Sequence, residues 1–229
     1  MVGYHLLEPR HLRELAGPPV VFYQLEQLSE REGWFTPARA QVLRAASRIW
    51  DYSAENVAFL KARGFAQVEH LPIGFHPALE RIRHRDEADK DIDVLFYGSV
   101  NLRRQGVLEP IRRRLRLQTL FGVYGEARDQ HIARSKIVLN IHFYQTRILE
   151  QVRLAYLFNN RCFVVSEEAE QNSFGNGLVS GPAGELGELC ARYLADPEAR
   201  RQSALANYRA FQKQPMTEYL KPLLEAAAA

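Results

Sequence analysis

The sequence is poor in cysteine and has no long apolar run. Of its 229 residues only two are cysteines, Cys162 in a predicted strand and Cys190 in a predicted helix. Residues in such positions are expected to be buried, reduced thiols. No apolar run reaches the roughly 20 residues that span a bilayer. The first residues also lack the charged segment and apolar core of a signal peptide. We therefore expect a cytoplasmic protein.

Several motifs that mark familiar active sites are absent too. The sequence has no Cys/His cluster with zinc spacing, no Gly-x-Ser-x-Gly, no phosphate-binding lysine loop and no Gly-x-Gly-x-x-Gly. It therefore gives no sign of a structural zinc, a serine-hydrolase elbow or a dinucleotide fingerprint. We predict neither a metal site nor a cofactor.

Charge of one sign is not in large excess, but arginine is unevenly spread. The chain has 30 Lys and Arg against 27 Asp and Glu, for a net charge of +3. Arginines group at 81–85, 103–104 and 112–116. A solvated surface explains such groups, and so does affinity for phosphates, anionic lipid headgroups or nucleic acid. Composition leaves both interpretations open.

Apolar strands alternate with helices along the chain. The predicted strands of the first part centre on Val20, Ile49 and Val68, and those of the second part on Val94, Thr119, Ile137 and Phe163. This alternation predicts an α/β fold with two Rossmann-like parallel-sheet halves that face a cleft. We place the small first half at residues 1–78, a charged linker at 79–90 and the second half at 91–229.

Residues 136–167, KIVLNIHFYQTRILEQVRLAYLFNNRCFVVSE, have the pattern of strand, loop, helix and strand, with the helix predicted over 147–160. Two buried strands joined in this way should be parallel. Open α/β sheets bind ligands beyond the carboxyl ends of their strands. The predicted ligand site therefore contains His142, Tyr144, Thr146 and Glu150.

Glu150 and His142 have structural explanations as well. An acid is favoured in the first turn of any helix by the backbone dipole, and Glu150 could pair with Arg153, three residues on. A lone histidine is more often a hydrogen-bonded structural residue than a catalyst. Both interpretations stay open at this point.

Residues 91–211 resemble the carboxyl-terminal, nucleotide-sugar-binding half of GT-B glycosyltransferases, including family-1-like and spore-maturation-like members. Leu149-Glu150 stands where that family has a carboxylate that holds the donor ribose, and His142 stands where it often has another Glu, eight residues earlier. The segment DVLFYGSVNLRRQGVLEPI looks like the first strand and phosphate-side loop of that half. The segment NGLVSGPAGELGELCARYLADPEARRQSALANYRAF is similar to the family's ending.

The resemblance implies metal-independent transfer of a sugar from a nucleoside-diphosphate donor to an acceptor. Donor-binding roles then fall to Gly98, Ser99, Arg103, Arg104, Tyr124, Gly125, Tyr144, Thr146 and Glu150. Arg103 and Arg104 would neutralise the diphosphate. The catalytic candidates are His142, in contact with the sugar or β-phosphate, and Glu26 and Asp51 in the first half.

Two further expectations come from comparison with glycosyltransferases. Asp91 and Asp93 match the Asp-x-Asp pattern that binds Mn²⁺ in the other large glycosyltransferase fold, but they precede their strand, so we expect them to point away from the site. In the family the last helix crosses back onto the first domain. Pro215 is a break where this crossing could begin, and Tyr219 and Leu220 are then expected to pack against residues before Pro72.

Other functions are compatible with the same residues. The first half is much shorter than the family's usual acceptor domain, so the chain could be trimmed at its amino end, or be a non-catalytic nucleotide-binding relative that needs a partner. An arginine-driven binder of RNA or anionic membrane is another alternative. The expected partners are a nucleotide-sugar donor, an acceptor and a peripheral membrane contact, with no specific nucleic acid. The sequence leaves open the sugar, acceptor, base, stereochemistry and oligomeric state.

Overall fold

The computed structural model describes residues 6–13, 19–28, 35–145 and 147–228, apart from the side chains of residues 176, 227 and 228. The chain divides into unit 1, which comprises Met1–Ile73 and Met216–Ala229, and unit 2, which comprises Gly74–Pro215. The division therefore falls at Gly74 and again at Pro215, whereas the sequence placed a linker at 79–90.

Unit 1 contains a three-stranded parallel sheet in the order β1-β2-β3. Its elements in this part of the chain are β1 (Val21–Gln24), α1 (Pro37–Arg44), β2 (Arg48–Asp51), α2 (Ala54–Lys61) and β3 (Val68–His70). Both helices begin at a hydroxyl cap, because Thr36 accepts a hydrogen bond from Arg39 N at 3.3 Å and Ser53 from Asn56 N at 3.2 Å. The core beneath the sheet is apolar and includes the fully buried Phe22, Leu43, Ile49 and Leu60.

Unit 2 contains a five-stranded sheet in the order β5-β4-β6-β7-β8, in which every neighbouring pair is parallel. Its elements are β4 (Ile92–Tyr97), α3 (Leu102–Arg112), β5 (Leu117–Leu120), α4 (Gly125–Ala133), β6 (Ser135–Asn140), α5 (Gln151–Asn159), β7 (Val164–Glu167), β8 (Val179–Gly181), α6 (Leu186–Leu194) and α7 (Pro197–Gln212). The predicted α/β class and the two parallel sheets are confirmed, including the parallel pairing of β6 with β7.

Three element boundaries shape the predicted site. Helix α3 begins at Leu102, because the Asn101 side chain accepts a hydrogen bond from Arg104 N at 2.9 Å and caps the helix. Strand β5 ends at Leu120, before Gly122, whose φ of +72° is incompatible with an extended strand. Helix α5 begins at Gln151, later than the sequence indicated.

The segment predicted as a linker is hydrogen-bonded within unit 2. It carries short 3-10 turns at Pro77–Leu79 and Glu87–Asp89. The carboxamide of Asn160 accepts from Arg81 N at 2.7 Å and from Ile82 N at 2.9 Å, and it donates to Leu79 O at 2.8 Å. The buried carboxamide of Asn160 therefore anchors the charged segment that the sequence predicted as a linker.

The last helix, α8 (Met216–Ala228), belongs to unit 1 although it follows unit 2 in sequence. Arg48 Nη2, at the start of β2, donates to Ala226 O at 2.5 Å. The predicted return of the tail to the first part of the chain agrees with this grouping. Across the residues that the structure describes, every helix is too short or too polar to cross a lipid bilayer.

Candidate functional site

The strand order of unit 2 places a topological switch point between β4 and β6. The chain leaves β4 toward β5 on one side, and β6 continues toward β7 on the other. At such a point the loops that follow the two strands diverge and leave a crevice at their carboxyl ends. Here those loops are residues 98–101, which lead into α3, and residues 141–150, which lead into α5.

Glu150 occupies the amino end of α5, but its carboxylate does not cap the helix. It turns toward the end of β6. There Oε2 accepts from Asn140 Nδ2 at 3.1 Å and lies 2.9 Å from His142 Nδ1. Oε1 accepts from Phe143 N at 3.3 Å and lies 3.6 Å from Arg104 Nη2. The side chain keeps 14% of its surface exposed.

These contacts keep the Glu150 carboxylate ionised. Burial by itself would raise its pKa. The contact with His142 and the nearby charge of Arg153 act in the opposite direction, as does the Asn140 amide, and the pKa of Glu150 lies below its ordinary value. A carboxylate held in this form is a hydrogen-bond acceptor at neutral pH and can accept from hydroxyl groups.

His142 follows β6 directly and is fully buried. Its Nε2 lies 3.0 Å from Glu168 O, its backbone N donates to Glu167 Oε2 at 3.0 Å, and its Nδ1 is the nitrogen beside Glu150. The ring therefore contacts the protein through both nitrogens and has 1% of its side-chain surface exposed. This arrangement orients Glu150.

Arg103 forms an ion pair with the buried Glu167, at the carboxyl end of β7. Its Nη1 donates to Glu167 Oε2 at 2.9 Å, its Nη2 contacts the other carboxylate oxygen, and Nη1 also donates to His142 O at 2.7 Å. Glu167 has 3% of its side-chain surface exposed. Most N–H donors of the Arg103 guanidinium, which the sequence assigned to phosphate, thus hold β6, β7 and α3 together.

Arg104 is also engaged within the protein. It is buried and donates to Ile141 O from Nε at 3.0 Å and to Ser99 O from Nη1 at 2.8 Å. Burial, together with the charge of Arg153, lowers the pKa of Arg104 to about 10, so the group stays protonated at neutral pH. Its main structural effect is to fix the loop after β4 against the loop after β6.

Arg153, one turn into α5, is less constrained than the other two arginines. Among the residues that the structure describes it makes one hydrogen bond, from Nη1 to Asn140 Oδ1 at 3.1 Å. Its guanidinium carbon lies 4.8 Å from the centre of the Tyr97 ring. The group sits against Gly98, where a Cβ atom would lie 2.8 Å from Arg153 Nη2. The absence of a side chain at Gly98 therefore makes room for this cation at the end of β4.

The charges of this cluster do not cancel. Three guanidinium groups (Arg103, Arg104 and Arg153) meet two carboxylates (Glu150 and Glu167). The amino ends of α3 and α5 point into the same region and add partial positive charge. Excess positive charge beside one ionised, partly exposed carboxylate suits a ligand with anionic and hydroxyl groups.

The remaining predicted donor residues lie at the margin of this cluster. Ser99 is exposed, and its carbonyl accepts from Arg104. Tyr124 is 75% exposed and precedes Gly125, the first residue of α4, beyond the end of β5. Tyr144 is half-buried, with its ring 4.8 Å from that of Phe143. Thr146 lies outside the described residues.

Asp51, a catalytic candidate of unit 1, is fully buried at the end of β2. Its carboxylate accepts from Ser53 N at 2.9 Å, from Asn56 Nδ2 at 3.1 Å and from Gln24 Nε2 at 2.9 Å. Burial raises the pKa of Asp51 to about 7, although these three hydrogen bonds act to lower it. The contacts account for Asp51 as a structural group that ties β1, β2 and α2 together.

Glu26, the other candidate in unit 1, is half-buried. Its backbone belongs to the same network, because Glu26 N donates to Gln24 Oε1 at 2.5 Å and Glu26 O accepts from Asn56 Nδ2 at 2.8 Å. The structure thus brings Glu26 and Asp51 together through shared partners.

The Asp-x-Asp pair lies at the amino end of β4, as predicted. Asp91 pairs with Arg134, and Asp93 pairs with Arg116 at 2.7 Å and Lys136 at 2.8 Å. Both acids are thus at the opposite end of the strand from Glu150. Over the described ranges, no group of three or more His, Cys, Asp or Glu side chains is placed to share a metal ion.

Sequence reasoning gave no site role to three residues that organise the cluster. Glu167 ends β7, Asn140 ends β6, and Arg153 projects from α5. A polar residue that closes an apolar strand was the available signal for Glu167 and Asn140, since the carboxyl ends of parallel strands meet at one edge. Arg153 was considered only as a partner for Glu150.

No protein-family model matches the chain. One viral protein, uncharacterized protein L137 of Acanthamoeba polyphaga mimivirus, is 29% identical over 111 residues. That match covers 46% of this chain and only 15% of the viral protein, so the chain spans a small part of that relative.

Solved structures give a more extensive likeness. HepE from Anabaena, crystallised with UDP and glucose, has a TM-score of 0.63 at 15% identity over 92% of this chain and 72% of its own. Sucrose-phosphate synthase from Thermosynechococcus elongatus has a TM-score of 0.62 at 14% identity, covering 96% and 71%. An α-glucosyltransferase in complex with UDP and a 13-mer DNA has a TM-score of 0.59 at 10% identity, covering 92% and 71%. These neighbours are GT-B glycosyltransferases, and the chain has their fold.

Proposed function

We propose that this protein transfers a sugar from a nucleoside-diphosphate donor that binds at the carboxyl edge of the unit 2 sheet. The carrying observation is that the Asn140 side chain, at the end of β6, holds both Glu150 and Arg153. Its Nδ2 donates to Glu150 Oε2 and its Oδ1 accepts from Arg153 Nη1, each at 3.1 Å. An ionised carboxylate and a guanidinium thus share one amide at the switch point between β4 and β6, and the guanidinium packs against Gly98. The solved GT-B structures, two of which contain UDP, support the same donor class.

The donor's parts match the groups of the site. The ribose hydroxyls donate to the Glu150 carboxylate. The diphosphate lies over the loop 98–101 and the amino end of α3, where backbone N–H groups and the helix dipole favour anions. Arg153 reaches the diphosphate from the α5 side and adds the full positive charge that the leaving group requires.

In this proposal, residues of the protein assist the departure of the nucleoside diphosphate from the sugar. As the bond from the sugar to the β-phosphate breaks, negative charge grows on the leaving oxygen, and preorganised donors stabilise that charge. Arg103 and Arg104 act indirectly, because they fix the loops that follow β4 and β6. His142 holds Glu150 in its ionised orientation. The transfer is proposed to be metal-independent because cations of the protein offset the diphosphate.

Titration of the full chain with nucleoside diphosphates tests the donor site. A calorimetric panel of UDP, GDP, ADP and CDP identifies the base, and Glu150→Ala should then weaken binding about ten- to a hundredfold, since a charge-assisted hydrogen bond contributes about 1.5–3 kcal/mol. Asp93→Ala is the matched control and should leave affinity unchanged with or without Mn²⁺. Parental affinity in Glu150→Ala, combined with metal-dependent loss in Asp93→Ala, would contradict the assignment.

Turnover separates an enzyme from a relative that only binds nucleotide. Incubation with the sugar forms of the bound nucleotide should release the diphosphate, at a rate that falls in Glu150→Ala. Tight nucleotide binding without release would instead identify the non-catalytic alternative. A steep fall in RNA or vesicle affinity with salt, without any response to nucleotides, would identify the arginine-driven alternative.

A further inference from the structure

A cavity lies at the edge of the unit 2 sheet opposite the proposed donor site, where β6 and β7 begin. Its volume is about 740 Å³, which is within the range of about 300–1,000 Å³ that small-molecule sites occupy. Ser135 at the start of β6 and Phe163 just before β7 line it, together with the amino-terminal turns of α7. This amino-edge cavity is separate from the proposed donor site, which lies at the carboxyl ends of the same strands.

The floor of the amino-edge cavity is apolar. Buried side chains from the end of α4, the middle of β6 and the residues before β7 form it, and α7 adds one wall. They are Ile132, Val138, Cys162, Phe163 and Ala204, with the half-buried Leu205 beside them. Such a surface releases water favourably when a hydrocarbon chain covers it.

Two largely enclosed cations share one carboxylate at the side of this floor. Glu87 contacts Arg200 and lies 3.7 Å from Lys90 Nζ, while Arg200 also donates to Leu194 O at 3.0 Å. The side-chain exposures are 4% for Arg200 and 16% for Lys90, against 44% for Glu87. Lys90 therefore has only a long contact to a carboxylate that Arg200 already engages, and its ammonium group lies beside an apolar floor.

Among the described residues, no carboxylate other than Glu87 forms an ion pair with Lys90. Glu198 is bound by Arg201 and Gln202, and Asp196 caps α7 by accepting from Ala199 N at 2.9 Å. The remaining charged lining residues are Arg85, Asp86 and Arg161, of which Arg161 pairs with Glu80.

His84 lines the cavity together with Lys90 and Arg161. Burial lowers the pKa of His84, with a smaller contribution in the same direction from Lys90 and Arg161, and its hydrogen bond with Asn160 O only partly opposes them. His84 Nε2 lies 3.9 Å from Cys162 Sγ on the cavity wall.

We propose that the amino-edge cavity binds a small amphiphile with a single anionic head group. The head lies at Lys90, near the amino end of α7, and the hydrocarbon chain covers Ile132, Val138 and Phe163. An anion supplies the charge that Glu87 cannot provide to both cations. The hydrocarbon chain of the ligand makes apolar contacts that water cannot make.

Calorimetric titration of the full chain with sodium decanoate, below its micelle concentration, tests this site. Decanoate should bind saturably, whereas 1-decanol and decyltrimethylammonium should bind at least about tenfold more weakly because they lack the negative charge. Hexanoate should also bind at least about tenfold more weakly, since it covers fewer floor residues. Decyl phosphate, titrated in parallel, distinguishes a phosphate head from a carboxylate head.

Lys90→Gln should weaken decanoate binding about ten- to a hundredfold, while Lys213→Gln, which removes the same charge from the exposed end of α7, should leave it unchanged. UDP affinity should be the same in both variants, so failure here is distinguishable from failure of the donor site. The proposal is overturned if decanoate does not bind, if 1-decanol or the cationic amphiphile binds as tightly, or if both lysine variants bind decanoate alike.

Discussion

The three arginines at the carboxyl edge of unit 2 differ in what holds them. Arg103 is fixed by Glu167 and Arg104 by backbone carbonyls, whereas Arg153 makes one hydrogen bond within the described residues. Substitutions should therefore have different consequences. A fixed arginine contributes to stability, and a less constrained one is available for ligand.

Arg153→Gln should weaken UDP binding about ten- to a hundredfold and leave uridine binding nearly unchanged, because the lost charge faces only phosphate. Arg103→Gln should instead lower the free energy of unfolding by about 3 kcal/mol, because it leaves the buried Glu167 carboxylate without its charged partner. Calorimetry with both ligands and urea denaturation of both variants separate the two effects. Equal losses of UDP affinity without a stability difference would contradict this division.

Asp51 should make stability depend on pH. Its pKa is raised to about 7 from an ordinary 3.8, so between these values the folded state binds more protons than the unfolded state. Its stabilising contribution is thus fully present below pH 3.8 and is lost as the pH rises through about 7. The free energy of unfolding should fall by a few kcal/mol across this window.

Urea denaturation at pH 5 and pH 8 measures this slope, and Asp51→Asn should remove it. His84, whose lowered pKa acts with the opposite sign near its ordinary value, is present in both proteins, so it cancels in the comparison. An unchanged slope in Asp51→Asn would show that Asp51 titrates normally.

At the scale of elements, the sequence predicted most strands correctly but not the side-chain pairs between them. Apolar runs and β-branched residues mark β4, β6 and β7, and the β-α-β connection makes them parallel. The pairing of Arg103 with Glu167 joins residues 64 positions apart, and local pattern carries no information on such a pair. The starts of α3 and α5 depend on Asn101 and on the turn of Glu150 toward β6, which periodicity does not detect.

The loop after β4 should depend on the missing side chain at Gly98. Its φ is +127°, and a Cβ atom there would lie 2.8 Å from Arg153 Nη2. Gly98→Ala should therefore cost about 1–3 kcal/mol of stability and should also weaken UDP binding, because Arg153 must move.

Gly106→Ala, in the middle of α3, is the matched control. A Cβ atom there meets nothing within 4 Å, so the change should stabilise the protein by about 0.5–1 kcal/mol with unchanged UDP affinity. Thermal denaturation with and without UDP measures both quantities. If the two alanine variants behave alike, the packing of Arg153 against Gly98 is not what holds the loop.

At the scale of the whole molecule, unit 1 is completed by a helix that the chain reaches only after unit 2. Strands β1 to β3 form a small sheet, and α8 returns to it, where the Arg48 side chain donates to the backbone carbonyl of Ala226. A sheet of three short strands buries little surface by itself. The stability of unit 1 should therefore depend on α8, and Trp50, which is buried in β2, can report its unfolding.

Two leucines of α8, one turn apart, allow a matched comparison. Leu220 is half-buried and is expected to pack against residues before Pro72, whereas Leu224 is 51% exposed. Leu220→Ala should lower the free energy of unfolding, followed by tryptophan fluorescence in urea, by about 1–2 kcal/mol, because it removes apolar contact with the rest of unit 1. Leu224→Ala should change it by less than about 0.5 kcal/mol. If both variants unfold at the parental urea concentration, α8 does not stabilise the sheet, and its contact with unit 1 contributes nothing to the free energy of unfolding.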